Sequence, residues 1–295
     1  MIHDFLSSWG LFQNTYLAGW AMGLLLSQVG VIVVARDQIF IGAAVSQASG
    51  LGIAWALWLG DMLGHHAQHW SRSDLFLSAM AVAFSVGAAL VTARGNDSGG
   101  ESHEAVTGWV FLFSGSISSL ILAHSPHGLD EIQRLASSSI IGATAADVWV
   151  FGSLAIMTAW ILVFFHRPLL LLSMDRPMAE ALGMRTGIWS AAVCAWLGLT
   201  VGLSIRSAGM LYTFGCLVLP ALLAKRLCRE VWSMFVVAPL VFLGVSIPGF
   251  VLANHLDSPS AQMTVGLLTG GLALIWTSGL VTRRPSPWPG RHQTD

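Results

Sequence analysis

Charged residues are scarce in this chain. Only 10% of its 295 residues are Asp, Glu, Lys or Arg, whereas 55% are hydrophobic. Because a soluble globular domain carries about 25% charged residues, the composition excludes an ordinary soluble protein and predicts an integral membrane protein. The basic residues are scattered, and Lys225 is the one lysine among them. No basic surface is therefore large enough to follow a nucleic-acid backbone, and no nucleic-acid partner is expected.

Cysteine and nucleotide-binding motifs are equally sparse. The three cysteines have no CxxC spacing and indicate neither a disulfide framework nor a zinc finger. The sequence contains no GxxxxGK(S/T) pattern, so this chain does not itself cradle ATP phosphates, and no cofactor bound by this chain is expected. Residues 1–13 lack the basic region of a cleavable signal peptide, so the first apolar run is predicted to be a retained membrane helix.

Long apolar runs are what the sequence has in abundance. Nine of them have about 17–22 residues, the length that crosses roughly 30 Å of hydrocarbon as a helix. They cover residues 16–35, 39–60, 75–93, 106–123, 147–165, 187–205, 207–224, 232–253 and 261–281. Long alternating strands are absent. We therefore predict an all-α polytopic membrane protein of about eight to nine transmembrane helices, with a membrane domain over residues 1–281 and a Pro-rich, disordered cytoplasmic tail over residues 282–295.

The seventh run is the least regular. Within RSAGMLYTFGCLVLPALLAKRLCR, residues 206–229, an apolar helix is interrupted by Gly209, Gly215 and Pro220, and the proline removes the helical partner of the Cys216 carbonyl. Hydrocarbon tolerates such a break where protein or water satisfies the freed backbone groups. The pattern is equally compatible with a segment that lines a transport pathway and with a kinked helix that only packs against its neighbours. The second and eighth runs are further candidates for broken or re-entrant helices.

Basic residues fall unevenly between the two sets of connections, eleven against three. The richer set comprises Arg36, Arg94, Arg167, Arg176, Arg185, Lys225, Arg226, Arg229, Arg283, Arg284 and Arg291. The poorer set comprises Arg72, Arg134 and Arg206. Because loops rich in Lys and Arg stay in the cytoplasm, we predict an odd number of crossings, with the N-terminus outside and the C-terminus inside.

Histidine is the candidate metal ligand of the predicted outer loops. His65, His66 and His69 lie within five residues of one another and fit one helical turn, although an ordinary polar loop explains them as well. His255 and Asp257 lie at an outer helix end, where a metal contact and a solvated loop are both open.

The predicted cytoplasmic loop over residues 166–186 contains a short helix of its own. This helix begins near Asp175, has Pro177 in its first turn and ends at Gly183. Without further information, the pattern favours an amphipathic helix on the membrane surface. The long outer connection, residues 124–146, is predicted to hold another short helix, Leu129–Ala136.

Several motifs, taken in order, resemble the permease subunits of the metal-ion ABC importers, which take up zinc, manganese or iron. DRPMAEALGM is followed by an apolar helix and then by SAGMLYTFGCLVLPALLAKRL, which ends in a Pro–Ala–x–x–Ala pattern before basic residues. Upstream, Arg36 precedes FIGAAVSQASGLGIA, and Gly142 with Asp147 resembles an outer turn of the family. Downstream, LDSP precedes the last apolar run. The similarity covers roughly residues 16–281.

The resemblance implies a bacterial inner-membrane importer with a divalent transition metal ion as its cargo. It implies two permease copies or paralogues, separate ABC ATPase subunits and an extracytoplasmic solute-binding protein. The loop over residues 168–186 would then dock on the ATPase. Its apolar anchors would be Met178, Ala181 and Leu182. Its polar rim would be Glu180, Arg176 and Arg185, and Gly183 would supply a left-handed stop.

The second apolar run departs from the family. Where the family has an Asp and, four residues later, a His that suit a divalent cation, this chain has Ala43 and Gln47. Either the ion is held differently, by the Gln47 amide or the Ser46 hydroxyl, or the cargo is a metal complex, or a second permease carries the missing ligands.

The pathway between permease copies would be lined by Ser46, Gln47, Thr213 and Cys216. Close helix packing is the competing explanation for the small residues, and a buried inert thiol is the commoner role of a cysteine such as Cys216. For Gln47 a functional role is favoured, because a primary amide in hydrocarbon needs partners.

An importer permease is therefore the first functional hypothesis. The alternative is an ATP-independent carrier or channel, which would need intramembrane charged pairs or proton relays. Here the carboxylates lie at the ends of the apolar runs. A membrane enzyme would need histidine and carboxylate groups converging at one depth, and the outer histidines are dispersed along the sequence.

Overall fold

The computed structural model describes residues 2–62, 73–95, 102–123, 140, 142–174 and 176–277. Within these ranges the regular structure consists of ten α-helices, without strands. They are α1 (Ile2–Ala35), α2 (Phe40–Met62), α3 (Asp74–Gly95), α4 (His103–Ala123), α5 (Ala145–Phe164), α6 (His166–Met174), α7 (Arg176–Ala181), α8 (Thr186–Leu227), α9 (Val231–His255) and α10 (Ser260–Thr277). The prediction of an all-α protein is confirmed.

Seven of these helices are long and apolar enough to cross a membrane, namely α1 to α5, α8 and α9. The ninth predicted run corresponds to α10, which has 18 residues. Helix α8 has 42 residues. A straight helix of this length would measure about 63 Å, roughly twice the thickness of the hydrocarbon core of a bilayer. This helix must therefore bend sharply to remain in a bilayer.

The bend lies at Gly209, where the backbone is non-helical with φ 76° and ψ 173°. It separates a first leg of α8, residues 186–208, from a second leg, residues 210–227. The two legs coincide with the sixth and seventh predicted runs, so α8 supplies two crossings where an unbroken helix would supply one.

Contacts at the two ends of α8 show that the helix doubles back. Early in the first leg, the Ser190 hydroxyl accepts a hydrogen bond of 3.0 Å from the Arg36 guanidinium. In the last turn of the second leg, the Lys225 ammonium lies 2.9 Å from a carboxylate oxygen of Asp37. Because Arg36 and Asp37 are adjacent in sequence, both ends of α8 lie at the same end of the helix bundle.

The break predicted in the seventh run thus lies at Gly209, and its extension to Gly215 and Pro220 is corrected. The second leg stays helical through both residues. A Cβ atom on Gly215 would lie 2.7 Å from the Val265 side chain of α10, so this glycine permits close packing rather than a bend. Helices α2 and α9 are continuous as well, α9 even through its two prolines.

Among the described residues, members of the two predicted sets of loops lie at opposite ends of the bundle. We call the end that holds Arg36 and Lys225 the basic end. At the other end, the Arg206 guanidinium pairs with Asp74 and donates a hydrogen bond of 2.9 Å to the Ser78 hydroxyl. The separation agrees with the predicted topology, and the assignment of the basic end to the cytoplasm stays a prediction.

Helix α1 lies at the centre of the bundle and packs against α5, α8 and α9. Its glycines bring these neighbours close. A Cβ atom on Gly30 would lie 1.7 Å from the carbonyl oxygen of Leu217, and one on Gly23 would lie 1.9 Å from the Phe242 ring. Leu217 and Phe242 are both fully buried. The second leg of α8 therefore packs on α1 with no space for a side chain between the two backbones.

The predicted short helix of the 166–186 loop is present as α7, followed by Gly183 with φ 78°. A second helix in the same loop, α6, was not predicted and buries Leu169 and Leu172. The predicted outer helix Leu129–Ala136 and the tail over residues 282–295 lie outside the described residues.

Gly209→Ala is expected to destabilise the protein by about 1–3 kcal/mol, because its backbone angles belong to a region essentially restricted to glycine. Thermal unfolding of the purified protein in detergent should show a lower Tm. The control is Gly87→Ala in α3, where nothing lies within 4 Å of an added Cβ and alanine is the better helix former. Equal Tm values for the two variants would contradict a strained bend at Gly209.

Candidate functional site

Helix α7 lies at the basic end, packed on α6 and the start of α8. The side chain of Ala179 is fully buried and fixes α7 to the bundle. By contrast, Met178 and Leu182 expose 50% and 65% of their surface, and Ala181 is exposed beside them. The three predicted apolar anchors therefore face away from this chain and are accessible to a partner.

The turn after α7 holds this helix against α8. The Gly183 amide donates to the Glu180 carbonyl at 2.9 Å, and the Met184 amide donates to the Ala179 carbonyl at 3.0 Å. The Thr186 hydroxyl, in the first turn of α8, donates to the Glu180 carboxylate at 2.8 Å. Glu180 was predicted as part of a polar rim, and the structure uses its carboxylate to join α7 to α8.

The other two members of the predicted rim are Arg185 and Arg176. Arg185 is exposed in the turn between α7 and α8. The side chain of Arg176 lies outside the described part of the chain. One basic residue of the rim is therefore available to a partner in the described structure.

Three of the four predicted pathway residues are enclosed by this chain. The Ser46 hydroxyl is buried and donates to the Gly42 carbonyl of its own helix at 2.7 Å. The Thr213 hydroxyl is buried and donates to the Gly209 carbonyl at 2.8 Å. Cys216 is fully buried in the core. These three side chains are therefore packed within this chain, and their role as a pathway lining stays a prediction.

Gln47 is the predicted pathway residue that is half-buried rather than fully buried. Its amide oxygen faces α4, where it would lie 3.4 Å from a Cβ atom on Gly115. The missing side chain at Gly115 leaves room for the amide. Ala43, one helical turn away on α2, is also half-buried. The two positions that differ from the family pattern therefore lie on the same face of α2.

A pair of serines on α4 lies beside this part of α2. Ser114 and Ser118 are buried at a spacing of four residues on α4, and α4 packs mainly along α2. Sequence reasoning missed them, although the serine repeat in SGSISSL carries the spacing that places two hydroxyls on one helix face. Together with Gln47 they supply the α2–α4 interface with several neutral oxygen atoms of the kind that can act as ligands to a cation.

The predicted metal ligands do not form a cluster in the described structure. His255 and Asp257 are both exposed at the turn after α9, where Asp257 has a left-handed backbone with φ 49°. Across the described ranges no three His, Cys, Asp or Glu side chains come together in a way that could hold a metal ion. His65, His66 and His69 lie outside the described residues.

Comparison with known proteins gives a consistent picture. The sequence model described as "ABC 3 transport family" matches residues 8–277 of this chain. A Thermotoga maritima protein named "Probable metal transport system membrane protein" is 23% identical over 263 residues, which are 89% of this chain and 88% of the relative. ScaB, the manganese import system permease protein of Streptococcus parasanguinis, is 23% identical over 256 residues, 86% of this chain and 85% of ScaB.

A solved structure shares the fold of this chain. PsaBC from Streptococcus pneumoniae, solved in complex with Fab, superposes with a TM-score of 0.75 at 17% sequence identity. The superposition covers 94% of this chain and 95% of the other. The two chains therefore share the overall arrangement of their helices.

Proposed function

The chain belongs to the ABC 3 transport family, and on that premise we propose that it is the transmembrane permease of an ABC importer for a divalent transition metal. The observation that carries the proposal is the family match over residues 8–277 in a chain whose apolar helices form a membrane bundle. The names of the relatives, which refer to metal and to manganese, support manganese as the first cargo to test. Zinc and iron follow as the other expected ions.

The chain acts as a transport component, and a separate ABC ATPase supplies the energy. The absence of a phosphate-binding GxxxxGK(S/T) pattern in these residues supports this division of labour. We place the docking site for the ATPase at α7, because Met178 and Leu182 are exposed while Ala179 anchors the helix. Short apolar helix faces of this kind fit the grooves of partner proteins.

The surroundings of the importer follow from the same premise. The basic end would face the cytoplasm of a bacterial cell, in the inner membrane, with the N-terminus outside and the C-terminus inside. An extracytoplasmic solute-binding protein would deliver the cargo to the opposite end. A second permease, identical or paralogous, would complete the membrane part.

We place the cargo passage along the face of α2 that carries Ala43 and Gln47. Gln47, half-buried between α2 and α4, offers an amide oxygen, and neutral oxygen atoms are ligands that divalent cations accept. Ligands of this kind hold a metal weakly enough to release it. A metal complex as cargo, or anionic ligands from a second permease, would complete the passage in the same place.

An ATP-independent carrier receives less support. Its mechanism would use charged pairs within the hydrocarbon. The ion pairs Arg206–Asp74 and Lys225–Asp37 instead lie at the two ends of the bundle. Nothing in their position suggests proton or ion coupling across the membrane centre.

The experiment that tests the proposal is reconstitution of the permease with its ABC ATPase and solute-binding protein in proteoliposomes. ATP-dependent uptake of radiolabelled manganese, competed by zinc or iron, is the expected result. Equal uptake with and without ATP would contradict an ATP-driven permease and would favour the carrier.

Gln47→Ala is expected to raise the manganese concentration needed for half-maximal ATP hydrolysis by about tenfold, since a hydrogen-bonding or ligand contact to a charged group contributes about 1.5–3 kcal/mol. Gln47→Glu should lower that concentration, because a carboxylate is the stronger ligand. Metal-stimulated ATP hydrolysis in the reconstituted complex measures both. Gln13→Ala, which removes an exposed amide in the first half of α1, is the control. If manganese stimulates ATP hydrolysis in Gln47→Ala at the same concentration as in the wild type, Gln47 does not contact the cargo.

A further inference from the structure

The turn between α1 and α2 is fixed by its own backbone. The Gln38 amide donates to the Val33 carbonyl at 3.1 Å, and the Asp37 amide donates to the Val34 carbonyl at 3.2 Å. This pair of bonds is the Schellman motif that ends many helices. Asp37 occupies the position that glycine usually takes, with a left-handed φ of 52°. The turn is therefore a rigid element with a strained residue at its tip.

An aspartate at this position needs a reason, because a side chain in the left-handed region is costly and glycine would avoid the cost. The Asp37 carboxylate contacts the Lys225 ammonium at 2.9 Å. The carboxylate is 75% exposed and the ammonium 26% exposed, so the ion pair lies at the surface of the basic end. A pair this exposed contributes little to stability. What the ion pair does is join the α1–α2 turn to the second leg of α8.

The neighbouring residue holds the other leg. The Arg36 guanidinium donates to the Ser190 hydroxyl at 3.0 Å, across 154 residues of sequence. Two consecutive side chains of one rigid turn thus hold the basic ends of both legs of α8. The chain itself joins the legs at the opposite end of the bundle, at Gly209, where the helix is broken. The turn adds a side-chain connection between the legs at the end where α7 lies.

Helix α7 is joined to the first leg of α8, the same leg that Arg36 contacts. The Glu180 carboxylate of α7 accepts the hydrogen bond of Thr186, which lies one helical turn before Ser190 on the first leg. A displacement of α7 therefore moves the start of the first leg, and through Ser190 and Arg36 it moves the turn. The ion pair of Asp37 with Lys225 then passes the displacement to the second leg.

We propose that Arg36 and Asp37 are positioning residues for transport, which carry the movement of α7 to the second leg of α8 through Ser190 and Lys225. The proposal rests on the proposed function, since α7 moves only if an ATPase docks there. It assigns to the turn a role in linking ATP hydrolysis to metal passage. The turn itself touches neither the ATPase site nor the metal.

The test measures the number of manganese ions taken up per ATP hydrolysed by the reconstituted complex. Asp37→Asn and Lys225→Gln are each expected to lower this ratio by about threefold, the size of change typical of a partly exposed ion pair. ATP hydrolysis without metal should not change. The double variant should lie no lower than either single variant, because both substitutions remove the same contact. Two results would overturn the proposal. One is an unchanged number of manganese ions per ATP in the single variants, and the other is a loss in the double variant equal to the product of the two single losses.

A further single substitution distinguishes an effect on manganese uptake per ATP from an effect on folding. Asp37→Gly relieves the left-handed strain, so its Tm should equal or exceed that of the wild type, yet its uptake per ATP should fall as in Asp37→Asn. If Asp37 had only a structural role, its substitution would not raise the Tm and at the same time lower the manganese uptake per ATP. Arg226→Gln is the matched control, because it removes a neighbouring exposed charge from the same helix turn. A loss of coupling in Arg226→Gln as large as in Lys225→Gln would overturn the role of the specific ion pair.

The outcome also distinguishes this proposal from the proposed function. If the wild-type complex shows no ATP-driven uptake of manganese, zinc or iron, the proposed function fails, and the role of the turn fails with it. If the wild type transports and the Asp37 variants keep its ratio, the turn proposal fails alone. Transport by the wild type with a lower ratio in the Asp37 and Lys225 variants supports both.

Discussion

Leu182→Asp is expected to abolish metal uptake while leaving the protein folded in the membrane. Leu182 exposes 65% of its surface, so the substitution removes no contact in the core. On the proposed ATPase, however, the side chain would be buried, and a buried carboxylate without a partner is strongly unfavourable. Substitution of a central apolar anchor typically costs about 2 kcal/mol or more, so we expect at least about a thirtyfold loss of ATPase affinity.

Two measurements check this result, co-purification of the ATPase with the permease and ATP-driven uptake of radiolabelled manganese. Leu227→Asp is the control, because Leu227 is 50% exposed at the basic end but lies outside α7. Gly183→Arg should act like Leu182→Asp, since Gly183 follows the helix with φ 78° and an arginine there would displace the turn. Normal uptake in Leu182→Asp, or equal loss in Leu227→Asp, would show that α7 is not the docking site.

Gly30→Ala is expected to cause a large loss of stability, because Gly30 has the shortest Cβ approach among the described glycines. The added Cβ would lie 1.7 Å from the carbonyl oxygen of Leu217, and no real contact between these atoms is that short. The obstructing atom belongs to the backbone of a buried helix and cannot turn away, as a flexible side chain could. Overpacking of a core costs about 1–3 kcal/mol when neighbours can adjust, so we expect a cost of about 3 kcal/mol or more here.

Thermal unfolding in detergent and the yield of monodisperse protein measure this effect. Gly152→Ala in α5 is the control, because nothing lies within 4 Å of its added Cβ. It should keep or slightly raise the Tm, since alanine is favoured over glycine in helices. A Gly30→Ala protein as stable as Gly152→Ala would mean that α1 and the second leg of α8 are further apart than described here.

Local sequence patterns were sufficient for much of the fold. The length of the apolar runs predicted the membrane helices, and Pro177 with Gly183 predicted the bounds of α7 to within a residue or two. These features depend on hydrophobicity and on single-residue backbone preferences, which are properties of a short stretch of chain. The same reasoning failed at Pro220, because whether a proline bends a membrane helix depends on the neighbours that pack around it.

Sequence by itself thus determined the all-α membrane class and the rough bounds of most of the long helices, and it located the short helix α7. Tertiary structure alone decided that Thr213 and Cys216 are enclosed, that Gln47 is half-buried, and that α8 doubles back at Gly209. It also decided that Asp37 meets Lys225 across 188 residues. The physical reason is that burial and ion pairing depend on which distant segments come together, whereas helix formation in a membrane depends on local backbone bonding.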